Sequence, residues 1–267
     1  MDLCVSNIAW KAEDERAAYR LLADAGVRHI ELAPTRFWPD LRGITAAQVE
    51  TVMAPLREHH LQPVAFQALL FGFPDFQILE PEKAAPCADY LRHVIDLAAA
   101  MGATALVFGS PKNRRRGELP ADEARRRAVE FFAPLGAYAA ARGVTVNVEP
   151  NPAAYGCDFL LTADEAAEVV RAVASPGVKL HADTGGWCMN GEDAEGNIRR
   201  HLDLVNHVHL SEPMLDTWSA PRVDHAVIAA ALRRGGYRGC VSIEMKSTER
   251  GLAAVSEALA VARAHYA

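Results

Sequence analysis

Short runs in which polar and apolar residues alternate recur along the chain, each preceded by an Ala/Leu/Arg-rich stretch. In Val144-Thr145-Val146-Asn147-Val148-Glu149 the alternation has period two, so Thr145, Asn147 and Glu149 share one face of a β-strand and the valines take the other. Pro150 then stops the ladder. The same alternation groups Lys179, His181 and Asp183, then His207, His209 and Ser211, then Ser242, Glu244 and Lys246. Strand candidates begin near residues 3, 28, 62, 104, 144, 178, 205 and 239. Between them, apolar spacing of three and four, as in Leu91, Val94, Ile95, Ala98 and Met101, predicts helices. Gly26, Gly102, Gly143, Gly177 and Gly236 precede strands, where a glycine closing the helix is expected.

Eight strands alternating with helices predict an α/β chain folded as a single (β/α)8 TIM barrel over residues 1–267. A doubly wound open sheet is the runner-up. It requires a glycine-rich phosphate loop after the first strand, and Ser6-Asn7-Ile8-Ala9-Trp10 is not one.

Composition narrows the function classes. A net charge of −6 argues against a general nucleic-acid binder or a binder of acidic membranes. No stretch has the apolar length of a membrane helix, and Met1-Asp2-Leu3-Cys4 does not read as a signal peptide. Five scattered cysteines without C-x-x-C spacing suit reduced thiols, hence a cytoplasmic location. The expected partner is a small molecule; a homo-oligomer is left open.

In a barrel the chemistry sits at the C-terminal ends of the strands. Glu149, Asp183, His209 and Glu244 fall there, on strands five to eight and all facing inward. One such residue alone reads as a solvated carboxylate or a core histidine. Three carboxylates and an imidazole converging require a cation, because bare carboxylates at one site repel. An oxygen-rich set with one His suits Mn²⁺, with Co²⁺ or Mg²⁺ as alternatives, better than a structural Zn²⁺. These four are the expected metal ligands, and Asn147, His181 and His207 are expected to orient them.

The order Glu, Asp, His, Glu on strands five to eight resembles the xylose-isomerase-like barrels, in particular the sugar phosphate isomerase/epimerase group related to ketose 3-epimerases. The pieces that carry it are Val148-Glu149-Pro150, Ala182-Asp183-Thr184-Gly185, His207-Val208-His209-Leu210 and Ile243-Glu244. Leu69-Leu70-Phe71-Gly72 and Val107-Phe108-Gly109-Ser110 add to it. The resemblance implies an isomerase or epimerase of a sugar or sugar derivative, working by proton transfer at a carbon beside a metal-polarised carbonyl. Glu149 and Glu244 would then be the catalytic acid/base pair. An alternative on the same cage is a lyase or dehydratase acting on a sugar or cyclitol. An apurinic-site-endonuclease-like phosphodiesterase shares the fold. Those enzymes use a richer His/Asp/Glu set for several zinc ions and a basic groove, and the acidic charge and the single cage argue against that activity. The chain departs from the group where relatives place a His after Asp-Thr-Gly (here Gly186 and Trp187), a second Glu (here Tyr155) and an Arg (here Leu215, with Arg222 beyond).

Substrate contacts are expected from Trp10, Gln67, Arg114, Arg222 and Lys246. Glu31 is read as a partner for a sugar hydroxyl, and Phe71, Phe73 and Phe76 as an apolar lid, with ordinary loop packing as the alternative. Asp224 is read as a helix N-cap and His225 as first-turn filler.

Overall fold

In a computed structural model describing residues 1–267, all eight expected strands form, each starting within one residue of its expected position. They are β1 (Asp2–Ser6), β2 (His29–Leu32), β3 (Gln62–Phe66), β4 (Ala105–Phe108), β5 (Thr145–Val148), β6 (Val178–Asp183), β7 (Val205–Ser211) and β8 (Cys240–Glu244). All pair in parallel and in chain order, and β8 returns to β1 with Asp2 opposite Cys240, closing the barrel. The helices outside are α1 (Glu15–Asp24), α2 (Ala46–Glu58), α3 (Pro81–Met101), α4 (Ala121–Ala140), α5 (Ala163–Val173), α6 (Thr184–Asn190), α7 (Ala194–His201), α8 (His225–Arg234) and α9 (Leu252–Tyr266). There are nine because two of them, α6 and α7, join β6 to β7.

The apolar face of each strand packs outward against this ring. Val146, Val148, Leu180, Val208, Leu210, Val241 and Ile243 are all buried, as are Leu91, Val94, Ile95, Ala98 and Met101 on α3. Each of these Val, Leu, Ile and Met side chains contributes roughly 1.5–3 kcal/mol on leaving water. With the outer faces committed to this packing, the opposite faces, carrying Asn147, His181, His207 and Ser242, must line the barrel interior.

One glycine differs from expectation. Gly102 closes α3 in the left-handed conformation with φ +82°, but α5 is closed by Ala174, at φ +50°. Gly177 instead allows close approach: a Cβ there would stand 2.0 Å from the carbonyl oxygen of Gly136 on α4. A second difference concerns α8. Asp224 caps it as expected, accepting from Val227 N at 3.0 Å. His225, however, is no filler. It is buried between the Glu212 carboxylate (Nε2 to Oε1, 3.1 Å) and the Tyr266 hydroxyl (2.9 Å), with Trp218 stacked on its ring. No helix is long and apolar enough to cross a membrane.

Candidate active site

Register brings the site together. Asp183 on β6 lies opposite His209 on β7, and Ser211, two residues on, lies opposite Glu244 on β8. His209 is the hub. Its Nε2 faces both oxygens of Glu31 at 2.9 and 3.0 Å, and Glu31 is fully buried and also accepts from Ser242 Oγ at 2.6 Å. A carboxylate there fixes the hydrogen on Nε2, so in the neutral ring the lone pair is on Nδ1. Nδ1 points between Glu244 Oε2 at 3.1 Å and Glu149 Oε1 at 3.5 Å, yet makes no hydrogen bond. His181 Nε2 also lies 3.5 Å from Glu149 Oε1, and neither of its ring nitrogens has a partner.

Burial and crowding of charge shift several of these groups. Burial, then Glu149 and Glu244, pushes the Asp183 carboxyl up to about 7. Burial also raises Glu244, against the pull of His209. Desolvation disfavours the His209 imidazolium, but Glu244 and Glu31 outweigh it and raise its pKa well above the usual value. Glu31 goes the other way: burial would raise it, and the charges and hydrogen bonds of His209 and His207 hold it well below the carboxylate range. His181 is kept neutral by burial and by the two neighbouring histidines. Asp183 and Glu244 carboxyls raised by burial and by their acidic neighbours, with a buried imidazole nitrogen aimed among them unbonded, fit a divalent cation with oxygen and nitrogen donors. Ligand atoms of Glu149, His181 and His209 lie within 4.8 Å of one another, as do those of Glu31, His207 and His209; Asp183 and Glu244 belong to neither group.

Several residues set these groups in place. Asp183 ends β6 and also caps α6, accepting from Gly185 N at 3.0 Å and from the Ser211 hydroxyl. Asn151 Nδ2 donates to Glu149 Oε2 at 2.9 Å. Gly109, just after β4, leaves the space that the Glu149 carboxylate fills; a Cβ there would stand 2.1 Å from Oε2. Ser211 was detectable from period two, as one pleat beyond His209. Asn151 and Gly109 carry no periodic signal and are visible only once Glu149 is placed.

The expected substrate residues fare differently. Arg114 is fully buried and donates to the Glu149 carbonyl oxygen at 2.6 Å and to Cys157 Sγ at 3.5 Å, so it anchors the β5 loop instead of offering a charge to solvent. Glu31 is consumed by His209, His207 and Ser242, which corrects its reading as a sugar contact. Trp10 is fully buried, its indole donating to Glu15 at 3.1 Å. Gln67 is buried and donates to Ser6 Oγ at 2.5 Å. Arg222 and Lys246 are exposed, Arg222 donating to the Pro213 carbonyl oxygen at 2.9 Å. The three phenylalanines do not act together: Phe73 and Phe76 stack on each other and against Tyr90, and Phe71 alone projects, 74% exposed. Tyr155 ends the short turn Ala153–Tyr155 that follows β5. Burial, followed by the charges of Asp183, Glu244 and Glu149, pushes its hydroxyl well up.

Several known proteins of similar sequence or shape are named as sugar epimerases. The structure of an AP endonuclease, family 2, from Brucella melitensis is also similar in shape, with a TM-score of 0.77 at 20% identity over 96% of this chain and 98% of that one. L-ribulose 3-epimerase of Methylomonas sp. (strain DH-1) is 26% identical over 254 residues, covering 90% of this chain and 81% of that protein. The apo structure of 3-keto-D-glucoside 4-epimerase from E. coli superposes with a TM-score of 0.81 at 17% identity, covering 99% of each chain. D-psicose 3-epimerase in the presence of D-fructose gives 0.82 at 17% identity, covering 100% of this chain and 99% of that one. The profile of the xylose isomerase-like TIM barrel family matches residues 19–265, and the chain belongs to that family.

Proposed function

We propose that the protein is a divalent-metal-dependent epimerase or isomerase of a keto sugar, acting by proton transfer at carbon. The observation that carries this reading is the placement of Glu149 directly after β5 and of Glu244 at the end of β8, with one His209 nitrogen between their carboxylates at 3.5 and 3.1 Å. Glu149, Asp183, His209 and Glu244 would hold the cation, Mn²⁺ in preference to Co²⁺ or Mg²⁺. Such a cation supplies Lewis-acid polarisation of a sugar carbonyl and offsets negative charge as a neighbouring C–H ionises.

The chain's own residues do the rest. Glu31 holds the His209 ring in one tautomer, and Ser211 and Gly185 hold the Asp183 carboxylate. Asn151 fixes Oε2 of Glu149. One glutamate takes the proton from carbon on one face of the sugar, and the other returns a proton from the opposite face. Their strands lie three steps apart around the wall, which lets the two carboxylates reach one carbon from different sides. The relatives named as epimerases of L-ribulose, D-psicose and a 3-keto-D-glucoside support a keto sugar as the reacting unit.

The test is turnover in D₂O of Mn²⁺-loaded protein with L-ribulose and D-psicose. The expected product has unchanged mass apart from deuterium at one carbon. Product without deuterium points to a hydride shift and removes the acid/base roles. Loss of water from the sugar points to the lyase reading.

A further inference from the structure

The inward face of the barrel carries metal-ligating residues at its other end as well. Cys4 on β1 lies opposite Ser242 on β8 and opposite His29 on β2. Ser242 points into the barrel, because its hydroxyl donates to the buried Glu31 carboxylate. Period two then puts Asp2 and Cys240, which lie opposite each other two residues earlier, on that same inward face with His29. Cys240 opens β8 and Glu244 ends it, so Asp2, His29 and Cys240 meet at the N-terminal mouth of the barrel, away from the acidic site.

Their ligand atoms, a carboxylate oxygen, an imidazole nitrogen and a thiol sulfur, all lie within 4.8 Å of one another. None of the three side chains spends its donor atoms on a hydrogen bond or an ion pair within the chain. Tyr237 donates to Cys240 only at the carbonyl oxygen, at 2.8 Å. The three are reachable from solvent, Asp2 being exposed and His29 and Cys240 half-buried. Burial, followed by the charges of Asp2 and Glu31, pushes the Cys240 thiol up to about 11. At neutral pH it therefore keeps its proton until a cation displaces that proton to solvent.

The donor set decides which ion suits. Oxygen donors favour Mn²⁺ and Mg²⁺, whereas thiolate and imidazole together select Zn²⁺, which also accepts a carboxylate oxygen. We propose that Asp2, His29 and Cys240 form a second metal site, separate from the carboxylates, which takes Zn²⁺ with water in the fourth tetrahedral position. The ion serves the fold. It joins β8 to β1 and to β2 at the seam where the barrel closes, between strands from opposite ends of the chain. An ion that binds only when these three strands are assembled favours the closed barrel by mass action. The N-terminal face of such a barrel ordinarily serves stability, while chemistry stays at the other face. The site therefore stands independently of the keto-sugar reading.

The test is titration of the full chain, in excess Mn²⁺, with Co²⁺ as a spectroscopic stand-in for Zn²⁺. Wild type is expected to develop a thiolate-to-cobalt charge-transfer band in the near ultraviolet, which the carboxylate site cannot give because it holds no thiol. Added Zn²⁺ is expected to bleach that band. Cys240→Ser is expected to abolish it, and His29→Ala and Asp2→Asn to weaken Co²⁺ binding tenfold or more on the same readout. His29→Ala and Asp2→Asn, at half-buried and exposed positions, carry the comparison if Cys240→Ser does not fold. No band in wild type, a band that Zn²⁺ leaves in place, or one that survives Cys240→Ser overturns the site. Binding within tenfold of wild type in either His29→Ala or Asp2→Asn overturns it too.

Discussion

Replacing either Glu149 or Glu244 by Gln is expected to lower turnover by about 100- to 10,000-fold at saturating metal, the range that general acid–base catalysis contributes. Gln keeps the length and the oxygen acceptor but cannot take up or release a proton at working pH. Both carboxylates face the His209 nitrogen, so each substitution also removes a charge from the cation's surroundings, and metal must be held in excess to separate the two effects. The two variants are not expected to behave alike. In a given direction only one glutamate removes the proton, so one variant should still exchange the substrate's proton with D₂O while forming no product. The measurement is turnover and exchange by NMR on the same samples. Turnover within tenfold of wild type in either variant would contradict the assigned roles.

The second large effect is on stability. Asp183 is pushed up to about 7 by burial and by the neighbouring carboxylates, from an ordinary value of 3.8. Between those two values the folded, metal-free chain keeps a proton that the unfolded chain has released. Folding is then favoured at low pH, and stability falls as pH rises through the window, flattening above about 7. Linkage converts the displacement to on the order of 4 kcal/mol by pH 8. Asp183→Asn removes the ionisable group while its amide oxygen can still accept from Gly185 N. Without metal, the variant is therefore expected to melt several degrees above wild type at pH 8 and to match it near pH 4. A bound cation reverses the sign for wild type, because it needs the carboxylate ionised, so Mn²⁺ should raise wild-type Tm more at pH 8 than at pH 5. Thermal melts across pH, with and without Mn²⁺, check both statements. A variant less stable than metal-free wild type at pH 8 would contradict them.

What the sequence made legible follows the physics of strands. Glu149, Asp183, His209 and Glu244 could be read because β-structure has a strict period of two and because barrel chemistry gathers at one end of the strands. The eight strand positions were legible for the same reason. Glu31 was not, because its role depends on meeting His209 across the barrel interior, 178 residues away in the chain. Arg114 was expected to contact substrate; only the closed loop shows its guanidinium turned inward onto the Glu149 carbonyl. His225 acquires its meaning from Glu212 and Tyr266, on separate elements. Loop residues such as Tyr155 and Phe71 carry no periodicity, so their surroundings emerge only with the fold.

The central claim is that Glu149, Asp183, His209 and Glu244 together hold one divalent cation on which the chemistry depends. Metal content per chain, measured after dialysis against Mn²⁺, tests it most directly. Wild type is expected to retain about one equivalent, while Asp183→Asn, Glu149→Gln and His209→Ala each retain little, with the barrel's circular dichroism unchanged. Full occupancy in all three variants would contradict the assignment.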